Sequence, residues 1–142
     1  MESVKVQVKG VYGTNQGFAI ILEEMEGEEF LPVFISKGQA FSIEAGVSGK
    51  QAPRPLTHDL ILKIISDMDL EIESVTIDDL MDGTFMAELR LVRGERIFPY
   101  DVRPSDGIAL AVRNNSDIFI SKDVMDRAGR KKEELSDSGF EK

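Results

Sequence analysis

The chain of 142 residues has no cysteine, which removes disulfides, thiolate metal sites and cysteine nucleophiles together. Histidine is almost as scarce: His58 stands alone, so no two-histidine acid–base pair can form within one chain. No apolar run approaches the roughly 18 residues needed to cross a bilayer. The opening Met1-Glu2-Ser3-Val4-Lys5 lacks the basic and apolar regions of a signal peptide, and the cytoplasm is the expected compartment. Cations are in the minority, 17 basic against 26 acidic residues for a net charge of −9. Loose attraction to a polyanion is therefore disfavoured, and nucleic acid would need a local basic site. An acidic surface also serves solubility alone. The nearest approaches to a phosphate loop, Gly10/Gly13/Gly17 and Gly46/Gly49, lack both its lysine and its spacing. With cysteine absent and histidine single, any catalysis rests on carboxylates.

What the sequence does contain is itself, twice. Phe18 falls on Phe85, Leu22 on Leu89, Gly27 on Gly94, Glu28 on Glu95 and Pro32 on Pro99, all at one offset and without a gap. A duplicated supersecondary unit follows, with repeats at about 4–48 and 71–115. In the first, Val4, Val6 and Val8 alternate with polar residues as a strand, and residues 10–17 are turn-rich. Strands at 18–24 and 30–35 then bracket Met25-Glu26-Gly27-Glu28, where glycine supplies the positive φ of a tight hairpin. Ser36-Lys37-Gly38-Gln39 has the form of a capping box, and a helix should follow with Ala40, Ile43, Glu44 and Val47 on its inner face. The second repeat predicts strands at 72–77, 85–92 and 96–102, then a helix from Pro104. There Asp106 would accept from free N–H groups, and Ile108, Ala111 and Val112 would be buried.

Between the repeats, residues 48–53 read as a loop and 55–68 as a linking helix with Leu60, Ile61, Ile64, Ile65 and Met68 on one face. A short strand at 118–120 precedes a last helix at 123–128 that Gly129 ends. The fold class predicted is α+β: duplicated β-hairpin-plus-helix units, a mainly antiparallel or mixed sheet and an inserted helix, in a single domain over 1–129. The charged tail, 130–142, reads as frayed.

Two polar segments break the symmetry, Arg54-Pro55-Leu56-Thr57-His58-Asp59-Leu60 and Asp101-Val102-Arg103-Pro104-Ser105-Asp106-Gly107. The first repeat carries Phe34, Ser36 and Gln39 where the second has Asp101, Arg103 and Asp106, so the shared backbone plan does not require charge there. A helix N-terminus with an arginine beside it is an anion site in outline. The plain alternative is local structure, with Arg103 paired to Asp101 or Asp106 and Arg54 to Asp59. His58 reads as a neutral hydrogen-bonding imidazole, structural or catalytic. Asp59 could pair with Lys63 one turn on, while Asp78, Asp79 and Asp82 read as a solvated loop without the ligand alternation of a calcium site.

At these two segments, and from about Val4 to Gly129, the chain resembles the bifunctional nuclease domain family. The run from Asp101 to Arg113 carries most of the likeness. Gly107 departs from it, since the family usually has alanine there. The tail is too short for the helical repair-protein motif that some relatives append. The resemblance implies nuclease activity on RNA and DNA, with family positions at Arg54, His58, Asp59, Asp101, Arg103, Ser105 and Asp106.

The residues themselves suggest how such chemistry would run. A magnesium or manganese ion held by Asp101 and Asp106, with Asp59 near, would activate water and offset the negative surface. Arg54, Arg103 and Ser105 would hold phosphate, and His58 and Asp59 would join the catalytic set. The rival reading is a non-enzymatic module, in which the same helix ends bind a small anion or lock the repeats together while paired strands form a homo-oligomer.

Overall fold

The computed structural model describes residues 2–137 and 139–141. Strands β1 (Ser3–Thr14), β2 (Gly17–Glu24) and β3 (Glu29–Ile35) form an antiparallel meander that leads into helix α1 (Lys37–Ser48). After helix α2 (Thr57–Asp67) the order recurs, as β4 (Glu71–Met81), β5 (Thr84–Arg93), β6 (Arg96–Val102) and α3 (Pro104–Asn114). Then come β7 (Asp117–Ser121), α4 (Lys122–Ala128), β8 (Arg130–Lys131) and a 3-10 helix over Lys132–Asp137. All eight strands belong to one sheet, ordered β6-β5-β4-β7-β1-β2-β3-β8. The short β7 joins the two meanders, antiparallel to β1 and parallel to β4. The class is α+β with a mixed sheet, and α2 has no counterpart in the repeat.

Alternation explains the main core. Val6, Ile118, Val75 and Ile77 lie on one face across the central strands, and Ile43 and Ile108 pack onto them from α1 and α3. The helix α3 is buried almost all round, from Gly107 to Ala111, because α1, α2 and the sheet surround it. Gly107 is required by that crowding: a Cβ there would stand 2.7 Å from Val75 Cγ1. Ser36 and Gln39 form the predicted capping box on α1.

Several local expectations need correction. The strand β1 continues through 10–14 instead of turning, and β4 runs on to Met81, so Asp78 and Asp79 are strand residues; only Asp82 and Gly83, at φ 52° and 79°, make the hairpin turn. Gly27 does not take a positive φ. Its role is space, since the Glu24 carboxylate folds into the loop to accept from the Glu29 N–H at 2.9 Å, and a Cβ on Gly27 would collide with it. On α1 only Ala40 and Ile43 are buried, while Glu44 and Val47 are exposed. On α2 Ile65 is buried, but Leu60, Ile64 and Met68 face outward. The helix begins at Thr57, with Arg54 in the preceding bend and Pro55 just after it.

The tail was expected to fray; its described residues dock. Arg130 and Lys131 pair with Phe30 and Glu29, and Leu135 and Phe140 cover a second, smaller core of Tyr12, Ile21 and Phe30. Phe140 meets Phe30 edge-on with centroids 6.3 Å apart. The physical reason is the opposite face of β1–β3, which carries apolar side chains that the tail, through Leu135 and Phe140, covers among the described residues.

Candidate functional site

Three helices meet where the two polar segments converge. His58, in the first turn of α2, sends Nε2 to Asp106 Oδ1 at 2.9 Å and Nδ1 to Ser42 Oγ at 2.6 Å. Arg103, the residue before α3, grips the same carboxylate from outside, with Nε 2.8 Å from Oδ2 and Nη2 3.3 Å from Oδ1. Asp106 is placed for this by the extended Arg103 backbone, φ −66° and ψ 143°, and by Pro104 opening the helix behind it. It does not cap the helix as predicted; its oxygens are committed to His58 and Arg103.

A second set ties the helices beneath. Arg113 Nε donates to Asp59 Oδ1 at 2.8 Å, its Nη1 to the Ala109 carbonyl at 2.9 Å and its Nη2 to Ser42 Oγ at 3.4 Å. The other Asp59 oxygen accepts from the Leu56 N–H at 2.8 Å and so closes the start of α2. Arg113 therefore joins α1, α2 and α3 with a side chain only 7% exposed.

Electrostatics follow from these partners. Burial by itself would raise the Asp106 carboxyl, but the hydrogen bonds from Arg103 and His58 outweigh it and hold it below the ordinary value of 3.8. The Leu56 N–H and the Arg113 guanidinium hold Asp59 low as well. With Asp106 ionised, His58 keeps its hydrogen on Nε2 and offers Nδ1 to the Ser42 hydroxyl. The order Ser–His–Asp is that of a hydrolytic triad, with the two imidazole nitrogens interchanged relative to the serine-protease template. Arg103 with Asp106 and Arg113 with Asp59 neutralise each other pairwise, so these four charges add nothing to the repulsive −9 of the whole chain.

A cleft of about 780 Å³ opens over this cluster, walled by Ser42, His58, Arg103 and Asp106 at one end and by Ile61, Leu89 and Tyr100 along its length. Of the residues singled out from sequence, His58, Arg103 and Asp106 are united. Asp101 borders the cleft, but Val102 faces α3 beside Gly107, and strand alternation therefore turns Asp101 the other way. It lies across from Glu88, close to Asp78, whose carboxyl is raised first by burial and then by these neighbouring acids. Asp59 lies on the adjoining cleft with Arg113. Arg54 is exposed and lines neither, and the Ser105 hydroxyl is buried without a partner among the described residues.

Of the local pairs weighed from sequence, Arg103–Asp106 forms, whereas Asp59 pairs with Arg113, not Arg54 or Lys63; Lys63 bonds Asp67 at 2.7 Å. The residues do not present a divalent-metal donor set as placed. Both Asp106 oxygens and both Asp59 oxygens have donors, Asp101 faces away, and no group of three histidine or acidic side chains converges among the described residues.

Ser42 and Arg113 are the members that sequence reasoning passed over. Their signal is in the repeat: Arg113 corresponds to Gly46 and Ser42 to Ala109, and these four meet where α1 crosses α3. A Cβ on Gly46 would come within 2.9 Å of Arg113 Nη1, so the glycine makes room for the arginine.

A sequence model described as the bifunctional nuclease domain matches residues 20–133. The chain belongs to that family. Among its relatives is an uncharacterized protein of Mycobacterium tuberculosis (strain ATCC 25618 / H37Rv), 36% identical over 110 residues, which cover 78% of this chain and 65% of that protein. Another is bifunctional nuclease 2 of Oryza sativa subsp. japonica, 29% identical over 99 residues, 67% of this chain and 30% of the rice protein. Bifunctional nuclease 2 of Arabidopsis thaliana is 27% identical over 108 residues, 73% of this chain and 33% of its own length. The match to this chain thus covers about a third of each plant protein. Among the described residues no helix is long and apolar enough to cross a membrane.

Proposed function

We propose that the cleft hydrolyses phosphodiester bonds in RNA or DNA, with His58 as acid–base, Ser42 as nucleophile and Arg103 as the phosphate ligand. The observation that carries this is the hydrogen-bonded series Asp106–His58–Ser42, which opens onto a cleft whose mouth holds a half-free guanidinium. Family membership supports the class of substrate.

Each group has a defined task. Arg103 spends one edge of its fork on Asp106, and its remaining N–H groups bind the non-bridging phosphate oxygens. Ser42 Oγ attacks phosphorus while its proton passes to His58 Nδ1, and the ionised Asp106 stabilises the imidazolium through Nε2. The P–O bond to the departing nucleoside breaks, and His58 returns the proton to that oxygen. Water then gives a proton to His58 and attacks the Ser42 phosphodiester, which frees the serine as its hydroxyl. Arg113, against Ser42 Oγ, favours the developing alkoxide.

Purified chain is incubated with labelled single-stranded RNA and DNA, with and without chelator. Cleavage should persist in chelator, His58→Ala and Ser42→Ala should each lower turnover by about 10²–10⁴, and quenched reactions should carry phosphate on Ser42. Full activity in Ser42→Ala removes the serine mechanism. Loss of all activity in chelator moves the reading to a magnesium or manganese ion, which would need Asp106 freed from Arg103 and Asp101 turned toward it. Failure to cleave either nucleic acid under any divalent condition leaves the anion-binding or oligomeric module.

A further inference from the structure

Beyond the reacting groups, the cleft runs as a groove to Leu91 and Tyr100, and the inner face of β6, an edge strand of the sheet, extends the same line past them. Residues that alternate onto this face are Arg96, Phe98, Tyr100 and Val102, paired in turn with Arg93, Leu91, Leu89 and Ala87 of β5. The near end is the Arg103 guanidinium. At the far end Arg93 and Arg96 stand directly opposite each other and both lie over the Phe98 ring, at 5.6 and 4.9 Å from its centroid. Like charges paired across strands are unfavourable. Both arginines are exposed, and neither makes an ion pair among the described residues, although the chain carries nine net negative charges. Between the two cationic ends this face of β5 and β6 is apolar, with Tyr100 half exposed and Asp101 alternating to the opposite face.

We propose that this groove is a track for single-stranded nucleic acid, reaching from the Arg103 phosphate site to an anchoring phosphate site at Arg93 and Arg96, with a base stacked on Tyr100. The proposal rests on the hydrolytic reading of the cleft and specifies its substrate. Cationic ends match a polyanion, while an apolar aromatic floor suits unpaired bases, whose faces a duplex would hide. From Arg96 to Arg103 the strand spans roughly 23 Å at about 3.3 Å per residue. Grooves of this kind cover roughly 4–16 nucleotides. A dinucleotide can fill the reacting end but cannot reach the arginine pair.

The test is binding of labelled uridine oligomers of two and twelve nucleotides to His58→Ala protein, by fluorescence anisotropy across a salt series. For the twelve-mer, Arg93→Ala/Arg96→Ala should lower the slope of log affinity against log salt by about 1.4, two contacts at about 0.7 each for a single strand. Its affinity should fall about tenfold or more, while dinucleotide binding is unchanged. Tyr100→Ala should weaken the twelve-mer severalfold, and Tyr100→Phe should restore it. An unchanged slope in the double arginine variant overturns the track, as does an equal loss for both lengths, which would place the effect on the cleft or the fold. If wild type cleaves but shows no preference for the twelve-mer, the track fails and hydrolysis stands. Should wild type show the length preference and cleave nothing, the track stands and hydrolysis fails.

Discussion

Replacing Arg113 by methionine removes one of the two side chains, with His58, that tie all three helices at the site. The magnitude can be worked from its partners. A buried charge with hydrogen-bonded acceptors is worth about 3–5 kcal/mol when one partner is deleted, whereas an exposed ion pair contributes about 0.2–1 kcal/mol. Arg113 is 7% exposed but Asp59 is 41% exposed, so the carboxylate left behind can be hydrated and the cost falls between these limits, at about 2 kcal/mol. Asp59→Asn should cost about 1 kcal/mol, because the amide oxygen still accepts from the Leu56 N–H. The double variant should show a coupling of about 1 kcal/mol in urea unfolding at pH 7.

The pH dependence of that coupling has a definite sign. Asp59 is held below 3.8 in the folded chain by the Leu56 N–H and Arg113. Its stabilisation is therefore present above the unfolded value and lost as pH falls through the folded one. The coupling should be constant from pH 7 to about 5, then shrink below about 4. A coupling near zero at pH 7, or one that does not shrink at all as pH falls below the ordinary value of 3.8, would refute the assignment of this pair. Because Arg113 also reaches Ser42, turnover in Arg113→Met should drop further than a comparably destabilising change remote from the cleft.

Two further outcomes follow from close packing and from the docked tail. Gly46→Ala should destabilise the chain by about 1–3 kcal/mol in urea despite a helix-propensity gain of about 1 kcal/mol, because the new methyl would lie 2.7 Å from Val112 Cγ2 and 2.9 Å from Arg113 Nη1; an equally stable variant would mean that these neighbours yield freely. Ending the chain at Lys131 strips Leu135 and Phe140 from Tyr12, Ile21 and Phe30 and should cost about 2 kcal/mol by partial re-exposure of apolar surface, and an unchanged urea midpoint would show the tail's docking to be without weight.

Much of this architecture was legible because it rests on local rules. Alternating valines made β1 visible, Ser36 and Gln39 declared the start of α1, and Pro104 marked the start of α3. What misled was context at longer range. An aspartate three places into a helix ordinarily caps it, but the partner that claims Asp106 is an imidazole 48 positions away. The apolar face of α2 looked like a core stripe, yet Leu60, Ile64 and Met68 are exposed because α2 packs at the margin of the core. Asp101 and Asp106 are near in sequence, but the strand residue faces away from the cleft and the helix residue faces into it, a separation that spacing alone does not reveal. No local rule could have placed Phe140 on Phe30, since the uncovered apolar face of β1–β3 exists only once the sheet is built.

The duplication explains why the site sits where it does. Two similar meanders, each ending in a helix, bring α1 and α3 together across one sheet. Such a crossing offers two related helix N-termini, but polar residues at both would have to be desolvated against each other. The sequence divides the labour. One copy keeps Ser36, Gln39 and Gly46, which cap a helix and give space; the other has Arg103, Asp106 and Arg113, which fill that space with charge. Ser42 remains on the first copy, opposite Ala109, and becomes reachable only because α2, which the repeat does not contain, lowers His58 between the two. A symmetric pair of helices would have had no such proton acceptor. The asymmetry of sequence at the crossing is therefore what turns a packing contact into a reactive one.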